Sequence, residues 1–296
     1  MDLIIYHRDC PDGFCAAFVA KKKYPNAELF GCTYGEEPPF NKLVGKSLDV
    51  LVVDFSWKRE ETCAIAELTH SIKILDHHKT AEKELAGLDF VTFDMKRSGA
   101  TLTWDTLFPG QPRPWYVNYC EDRDLWNWKL PESKEVSGYV MALPHTIAAW
   151  STLDSFSAQE AAASGRAIRL HIDHYIEKVV AQKQFGKLAG HTVAIVNAAY
   201  PNISDVGNVL CGDAEIGAGW FERGDGMIQF SLRSVGDLDV SAIAKKFGGG
   251  GHKNASGFQL PLAEGRNVLD GILGRTEIGD PLQEALAKTH AALSTK

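Results

Sequence analysis

"KILDHHKTA", residues 73–81, joins a strand-like apolar run directly to Asp76, His77 and His78, three side chains of the metal-ligand type within one turn of chain. Two comparable runs precede it, "DLIIYH" (2–7) and "VLVVDFS" (50–56). Unbroken apolar runs of this length suit strands covered on both faces, which favours a parallel sheet over a half-exposed antiparallel one. Helical stretches, "DGFCAAFVAKKKY" (12–24) and "KREETCAIAELTH" (58–70), lie between the runs, so strand, helix and strand alternate as in βαβ units. "DFVTFD" (89–94) and the helical "SGATLTWDTLF" (98–108) extend the pattern.

In an open parallel sheet, ligands bind beyond the carboxyl ends of the strands. Here the first strand ends in His7 and runs into Asp9 and Asp12, the second ends in Asp54, and the third in Asp76, His77 and His78. Asp54 alone reads as a helix cap. Three strand ends with ligand-type residues at one sheet edge read otherwise, because crowded carboxylates repel one another unless a cation neutralises them. Carboxylates mixed with imidazoles suit manganese, iron, cobalt or zinc, and two metals sharing one carboxylate account for the number of ligands.

The texture changes after residue 150. "SAQEAAASGRAIRLHIDHYIEKVVAQKQF" (157–185) opens with Ser157 and Glu160 at capping-box spacing and carries Ile168, Ile172, Ile176 and Val180 at four-residue steps. It reads as a long helix joining two domains. A fresh α/β segment follows: the strand "TVAIVNAAY" (192–200), two strands joined by a Gly-Asp-Gly turn (214–235), a helix capped by Asp239, the glycine-rich loop "GGGGHKNASGF" (248–258) and a last helix near 280–293. The expected division is a catalytic domain over 1–150, a helical linker over 151–190 and a smaller α/β domain over 191–296.

At 296 residues with 45% hydrophobic content, the chain has enough apolar side chains for two ordinary cores. "LIIYH" is too short for a signal peptide or membrane span, so a cytoplasmic protein with no membrane partner is expected. Six cysteines without a C-x-x-C pair read as free thiols. A net charge of -7 argues against capture of long nucleic acid.

"LDHH" at a strand end, "HRDCPDG" upstream, "VVDFS" between them and "GGGGHKNASG" near the C-terminus resemble, in that order, the motifs of the DHH phosphoesterase superfamily, in the subgroup carrying a DHHA1 domain. The resemblance implies an N-terminal parallel-sheet DHH domain joined by a long helix to a smaller α/β DHHA1 domain. It also implies two divalent cations, manganese foremost and Mg2+, Co2+ or Fe2+ as alternatives, with a hydroxide attacking phosphorus in line. His7 and Asp12, with Asp9 nearby, match the first ligand cluster, and Asp54 matches the bridging carboxylate. His77 matches a ligand to the second metal, Asp76 the residue that orients His77, and His78 the group that faces the substrate phosphate. Asp122 in "CEDRDLW" (120–126) matches the family's fourth motif, with Asp124 as second candidate. One departure stands out: two residues, not one, separate Asp9 from Asp12, so Asp9 fits a ligand first, with an acceptor behind the ligands or a turn residue as alternatives.

For the second domain, the resemblance implies substrate binding by Gly248, Gly249, Gly250, Gly251, His252 and Arg233, with Ser204 and Asn208 as lesser candidates. Glycine N–H groups can approach an anion closely, and Arg233 offers a two-pronged phosphate contact. The implied reaction is hydrolysis of a short oligonucleotide to mononucleotides, as in the nanoRNase-like members. Alternatives are a cyclic-dinucleotide phosphodiesterase, a nucleotide 3′-phosphatase, a polyphosphate or pyrophosphate hydrolase, or a nucleotide sensor without turnover; a homodimer is left open. His171 and His174 read as a solvated helix face. Trp126 and Trp128 suit either a core or a base-stacking surface, and the sequence does not separate the two.

Overall fold

The structure, a computed structural model, describes residues 1–275, so the helix expected near 280–293 lies outside the described residues. The chain separates into two compact units, Met1–Leu170 and His171–Lys296. The division falls inside the long helix that the sequence reading treats as a linker.

In the first unit, β1 (Leu3–His7), β2 (Glu28–Cys32), β3 (Asp49–Val53), β4 (Ser71–Asp76) and β5 (Val91–Phe93) form a parallel sheet in the order β2-β1-β3-β4-β5. The helices are α1 (Pro11–Lys23), α2 (Phe40–Leu43), α3 (Arg59–Leu68), α4 (Lys79–Glu84), α5 (Gly99–Leu107), α6 (Trp115–Asp124), α7 (Ser133–Ala142) and α8 (Ile147–Ser151), and α9 (Ala158–Val180) runs from the first unit into the second. Side chains alternate across a strand, and here both faces are covered. Ile4, Leu51, Val53 and Leu75 pack with Phe14, Phe18 and Leu102, whereas Leu3, Ile5, Val50, Val52 and Ile74 pack with Trp57 and Ile65. Each fully buried aliphatic side chain contributes roughly 1.5–3 kcal/mol of burial free energy, which is why these strands read as unbroken apolar runs. Strand β2 escaped the sequence reading because it lies at the sheet edge and starts with the exposed Glu28, so it has no such run.

The strand order reverses between β1 and β3, and an open α/β sheet leaves a crevice at such a point. The register pairs Tyr6 with Val53 and Val53 with Leu75. The next residue of each strand, His7, Asp54 and Asp76, therefore lies along one row at the carboxyl edge.

In the second unit, β6 (Gln184–Leu188), β7 (His191–Asn197), β8 (Ile216–Glu222), β9 (Met227–Arg233), β10 (Gly250–His252) and β11 (Ala255–Pro261) form a sheet in the order β10-β11-β9-β8-β7-β6, with α10 (Ile203–Leu210), α11 (Val240–Lys246) and α12 (Leu262–Ile272). Among the described residues of this sheet, β7 and β8 pair in parallel and the other neighbours antiparallel. Helix α9 starts on the expected capping box: Ser157 N–H donates to Glu160 Oε2 at 2.7 Å and Glu160 N–H to Ser157 Oγ at 3.2 Å. It ends earlier than expected, at Val180, and residues 184–188 are a strand. Ala189 and Gly190, with φ of 52° and 87°, make the two-residue turn that folds β6 onto β7.

The glycine run also departs from expectation. It is part of a β10–β11 hairpin and not an open loop: Gly248 N–H donates to the Lys245 carbonyl at 3.1 Å and Gly249 N–H to the Ala244 carbonyl at 3.0 Å. A Cβ on Gly249 would stand 2.0 Å from the Gly257 carbonyl oxygen, so close packing on the neighbouring strand requires glycine there. All six cysteines are free thiols. Among the described residues, no helix is long and apolar enough to cross a membrane.

Candidate metal centre

Three buried strand or helix ends supply the site. Asp54 follows β3 in a left-handed conformation, φ 55°, which aspartate tolerates better than most residues, and its N–H donates to the Leu75 carbonyl at 2.9 Å. The residue is 1% exposed, and its carboxylate lies between two imidazoles. Oδ1 is 3.0 Å from His77 Nε2, and Oδ2 is 3.5 Å from His7 Nδ1.

Within the first unit, two groups of ligand atoms result, each within 4.8 Å: Asp12, Asp54 and His77, and His7, Asp54 and His78. Asp54 belongs to both. The sequence reading placed His7 with Asp12; the fold instead sets Asp12 by His77, with 3.8 Å between Oδ2 and Nε2, and His7 by His78. Asp12 sits on α1 and also accepts the N–H of Gly99 at 2.6 Å and of Ala100 at 3.1 Å, buried donors at the start of α5 that have no acceptor within the helix.

Asp124 stands beside the first group, its Oδ2 3.6 Å from His77 Nε2, and that oxygen makes no hydrogen bond although the atom is buried. Asp122, the expected ligand, is elsewhere. Its carboxylate accepts the N–H groups of Lys129 at 2.9 Å and Leu130 at 3.1 Å. Residues two positions apart on a helix are about 200° apart around its axis, so only one of this pair can face the strand ends. Asp9 also lies apart from the two groups. It has φ 59°, a side chain 64% exposed and a carboxylate 3.6 Å from Arg8 Nε.

Asp76, expected to orient His77, has its Oδ1 2.7 Å from His78 Nδ1, and that oxygen also accepts the backbone N–H groups of His77 at 2.7 Å and His78 at 3.3 Å. Ser56 Oγ donates to the other oxygen at 2.5 Å. Asp76 thus fixes the His78 ring.

Burial opposes ionisation of Asp54, yet hydrogen bonds from His7 and His77 hold it well below the ordinary carboxylate range. Burial, Asp124 and Asp54 push Asp12 well up, and burial pushes Asp124 up. Burial pulls the His77 imidazole down, but Asp124, Asp54 and Asp12 together raise it well above its usual value. Burial likewise lowers His78, and Asp76 more than offsets it. Carboxylates whose ionisation is opposed by burial and by one another, with a buried carboxylate oxygen lacking a donor, fit a divalent cation bound by oxygen and nitrogen.

Several residues of the site were not read from the sequence. Tyr34 and Phe55 flank the histidines: the Tyr34 ring lies 5.2 Å from His7 and 5.6 Å from His78, and Phe55 5.9 Å from His7. Gly13 and Gly99 pack against Asp54, and a Cβ on either would come within 3.0 Å of its carboxylate. "DG" and "SGA" carry a glycine signal; Tyr34 in "CTYGEE" carries none.

In the second unit, Arg233 donates to Ser204 Oγ at 2.6 Å, Ser231 Oγ at 3.0 Å and the Leu232 carbonyl at 2.8 Å. His252 pairs with Ala255 and Ala255 with Arg233, so His252 and Arg233 stand two strands apart, about 10 Å, on one face. Asn208 instead donates to the Ser204 carbonyl of its own helix at 2.9 Å.

Residues 210–274 match the DHHA1 domain. Over 289 residues, the chain is 28% identical to an uncharacterized protein of Acanthamoeba polyphaga mimivirus, covering 90% of this chain and 69% of that protein. Among solved structures, it resembles exonuclease RecJ bound to manganese, with a TM-score of 0.51 and 12% identity, covering 95% of this chain and 91% of that one. It also resembles an exopolyphosphatase-related protein from Bacteroides fragilis, with a TM-score of 0.50 and 15% identity, covering 93% and 92% of the two chains. These structural likenesses are of fold.

Proposed function

We propose that the chain is a member of the DHH/DHHA1 superfamily and a divalent-metal-dependent phosphoesterase that hydrolyses short oligonucleotides to mononucleotides, with manganese as its metal; the DHHA1 match over residues 210–274 supports the membership. The observation that carries this reading is the shared position of Asp54, which offers one oxygen to each of two ligand groups. Asp12, His77 and Asp124 would complete the donors to one cation. His7 would serve the other. Bound there, divalent cations supply neutralisation of the phosphoryl oxygens and acidification of water at neutral pH.

The chain's own residues do the rest. Asp54 lies at the strand-order reversal, where substrate enters the crevice. Asp76 orients His78 through Nδ1, leaving Nε2 to donate a hydrogen bond or a proton to the leaving oxygen. Arg233, supported by Ser204, and His252 bind substrate phosphate. A net charge of -7 disfavours long nucleic acid and leaves short substrates preferred.

The test is release of mononucleotide or phosphate from a dinucleotide, a longer RNA, a cyclic dinucleotide, a nucleotide 3′,5′-bisphosphate and pyrophosphate, with manganese and with chelator, using Asp54→Ala as the inactive control. Manganese-dependent cleavage, fastest on the dinucleotide, is expected. Bound metal without turnover of any of the five would sink the hydrolase reading.

A further inference from the structure

Just past Asp124 the chain carries two tryptophans in a backbone conformation that bulky residues rarely adopt: Trp126 has φ 56° and Trp128 φ 53°. Each such residue costs about 1–3 kcal/mol, so the surroundings must impose it. Asp122 does so. Its carbonyl accepts the N–H groups of Asn127 at 2.8 Å and Trp128 at 3.3 Å, while its carboxylate holds Lys129 and Leu130. A buried carboxylate is thus committed to shaping the turn that displays both indoles.

The turn does not serve the interior. Among the described residues, neither indole belongs to, or packs on, any of the apolar cores. They meet each other edge to face, with ring centroids 4.9 Å apart and planes at 79°. The Arg123 guanidinium carbon lies 5.6 Å from both rings, and Lys134 Nζ lies 5.8 Å from Trp128. This is a partly exposed aromatic corner with cations beside it.

Its place relative to the ligand groups matters. Trp126 follows Asp124 by two residues, so their Cα atoms are at most about 7 Å apart. Asp124 in turn reaches His77. A phosphate near these carboxylates and imidazoles leaves the rest of a nucleotide within reach of the indoles. We propose that Trp126 and Trp128, with Arg123, form a stacking subsite for a nucleobase of the substrate, which makes the substrate a nucleotide-containing phosphoester and not pyrophosphate or polyphosphate. Stacking tolerates any base because every base has a π-face, and a cation on the indoles adds to the attraction. The inference rests on the hydrolase reading for the identity of the reacting phosphate, but the subsite itself is a binding property.

The experiment follows intrinsic tryptophan fluorescence of the manganese-loaded full chain on titration with AMP, UMP and ribose 5-phosphate. The wild-type protein is compared with Trp126→Gly, Trp128→Gly and the two phenylalanine variants. Glycine is the informative truncation, because it removes the ring and accepts the left-handed backbone without strain. Isothermal titration gives affinities where a tryptophan signal is lost, and melting curves show that the variants fold. AMP and UMP should bind more tightly than ribose 5-phosphate, each glycine variant should weaken AMP about 5- to 100-fold, and phenylalanine should restore most of it. Equal binding of AMP and ribose 5-phosphate, or AMP affinity unchanged in folded glycine variants, would overturn the subsite. Base-dependent binding without hydrolysis of any substrate would leave the subsite standing and remove the hydrolase reading; hydrolysis unaffected by both glycine variants would do the reverse.

Discussion

A Cβ placed on Gly99 would stand 2.5 Å from the Cβ of Asp54, closer than any two such atoms can pack. Gly99 also donates its N–H to Asp12. The start of α5 is thereby wedged between two carboxylates of the candidate centre. Gly99→Ala should displace Asp54, lower stability by about 1–3 kcal/mol and weaken manganese binding. Titration calorimetry and melting curves check both effects, and unchanged metal affinity in the folded variant would show that Asp54 is not a ligand.

Asp122 and Asp124 have separable tasks. Asp124→Asn should lose manganese affinity and activity by 10-fold or more while melting near the wild-type temperature. Asp122→Ala leaves the Lys129 and Leu130 N–H groups without their acceptor and should cost about 1–3 kcal/mol of stability, with the metal retained. The reversed pattern would restore the sequence-based choice of ligand.

Manganese binding should release protons. Asp12, Asp124 and His77 are all pushed above their ordinary values, so each holds its proton to higher pH than usual, and a cation must displace it. Affinity therefore falls as pH is lowered. Calorimetry in buffers of different ionisation enthalpy reads the proton count directly; binding with no buffer dependence would contradict the assignment.

His78 is raised by Asp76 against the pull of burial, so its protonated form persists above the usual histidine value. If His78 donates to the leaving oxygen, activity is retained up to that raised value and lost as pH rises through it. Asp76→Asn removes the charge and should move the alkaline limb of the kcat profile to lower pH, with a rate loss of about 10- to 100-fold near the wild-type optimum. A limb that stays in place would assign the proton elsewhere.

Much of the first unit was legible in the sequence because parallel strands buried on both faces must be apolar throughout, and "LIIYH", "VLVVD" and "KILDHH" announce both the strands and where each one stops. The helix start at Ser157 and the cap at Asp239 were legible for the same kind of reason, being hydrogen bonds closed within a few residues. His7, Asp54, His77 and His78 come together because a parallel sheet carries all its strand ends to one edge.

What only the tertiary structure decided depends on partners far along the chain. Asp124 rather than Asp122 faces His77 because of the rotational phase of α6, which its packing sets and its composition does not. Asp76 meets the imidazole of His78 but only the backbone N–H of His77 through the direction in which the chain leaves β4, and Gly99 must be glycine because Asp12, 87 residues earlier, and Asp54 crowd it. The glycine run became a hairpin because β11 offered it a neighbour. Local pattern specifies which residues end a strand or cap a helix; the direction each side chain then takes is fixed by contacts between segments that sequence proximity does not join.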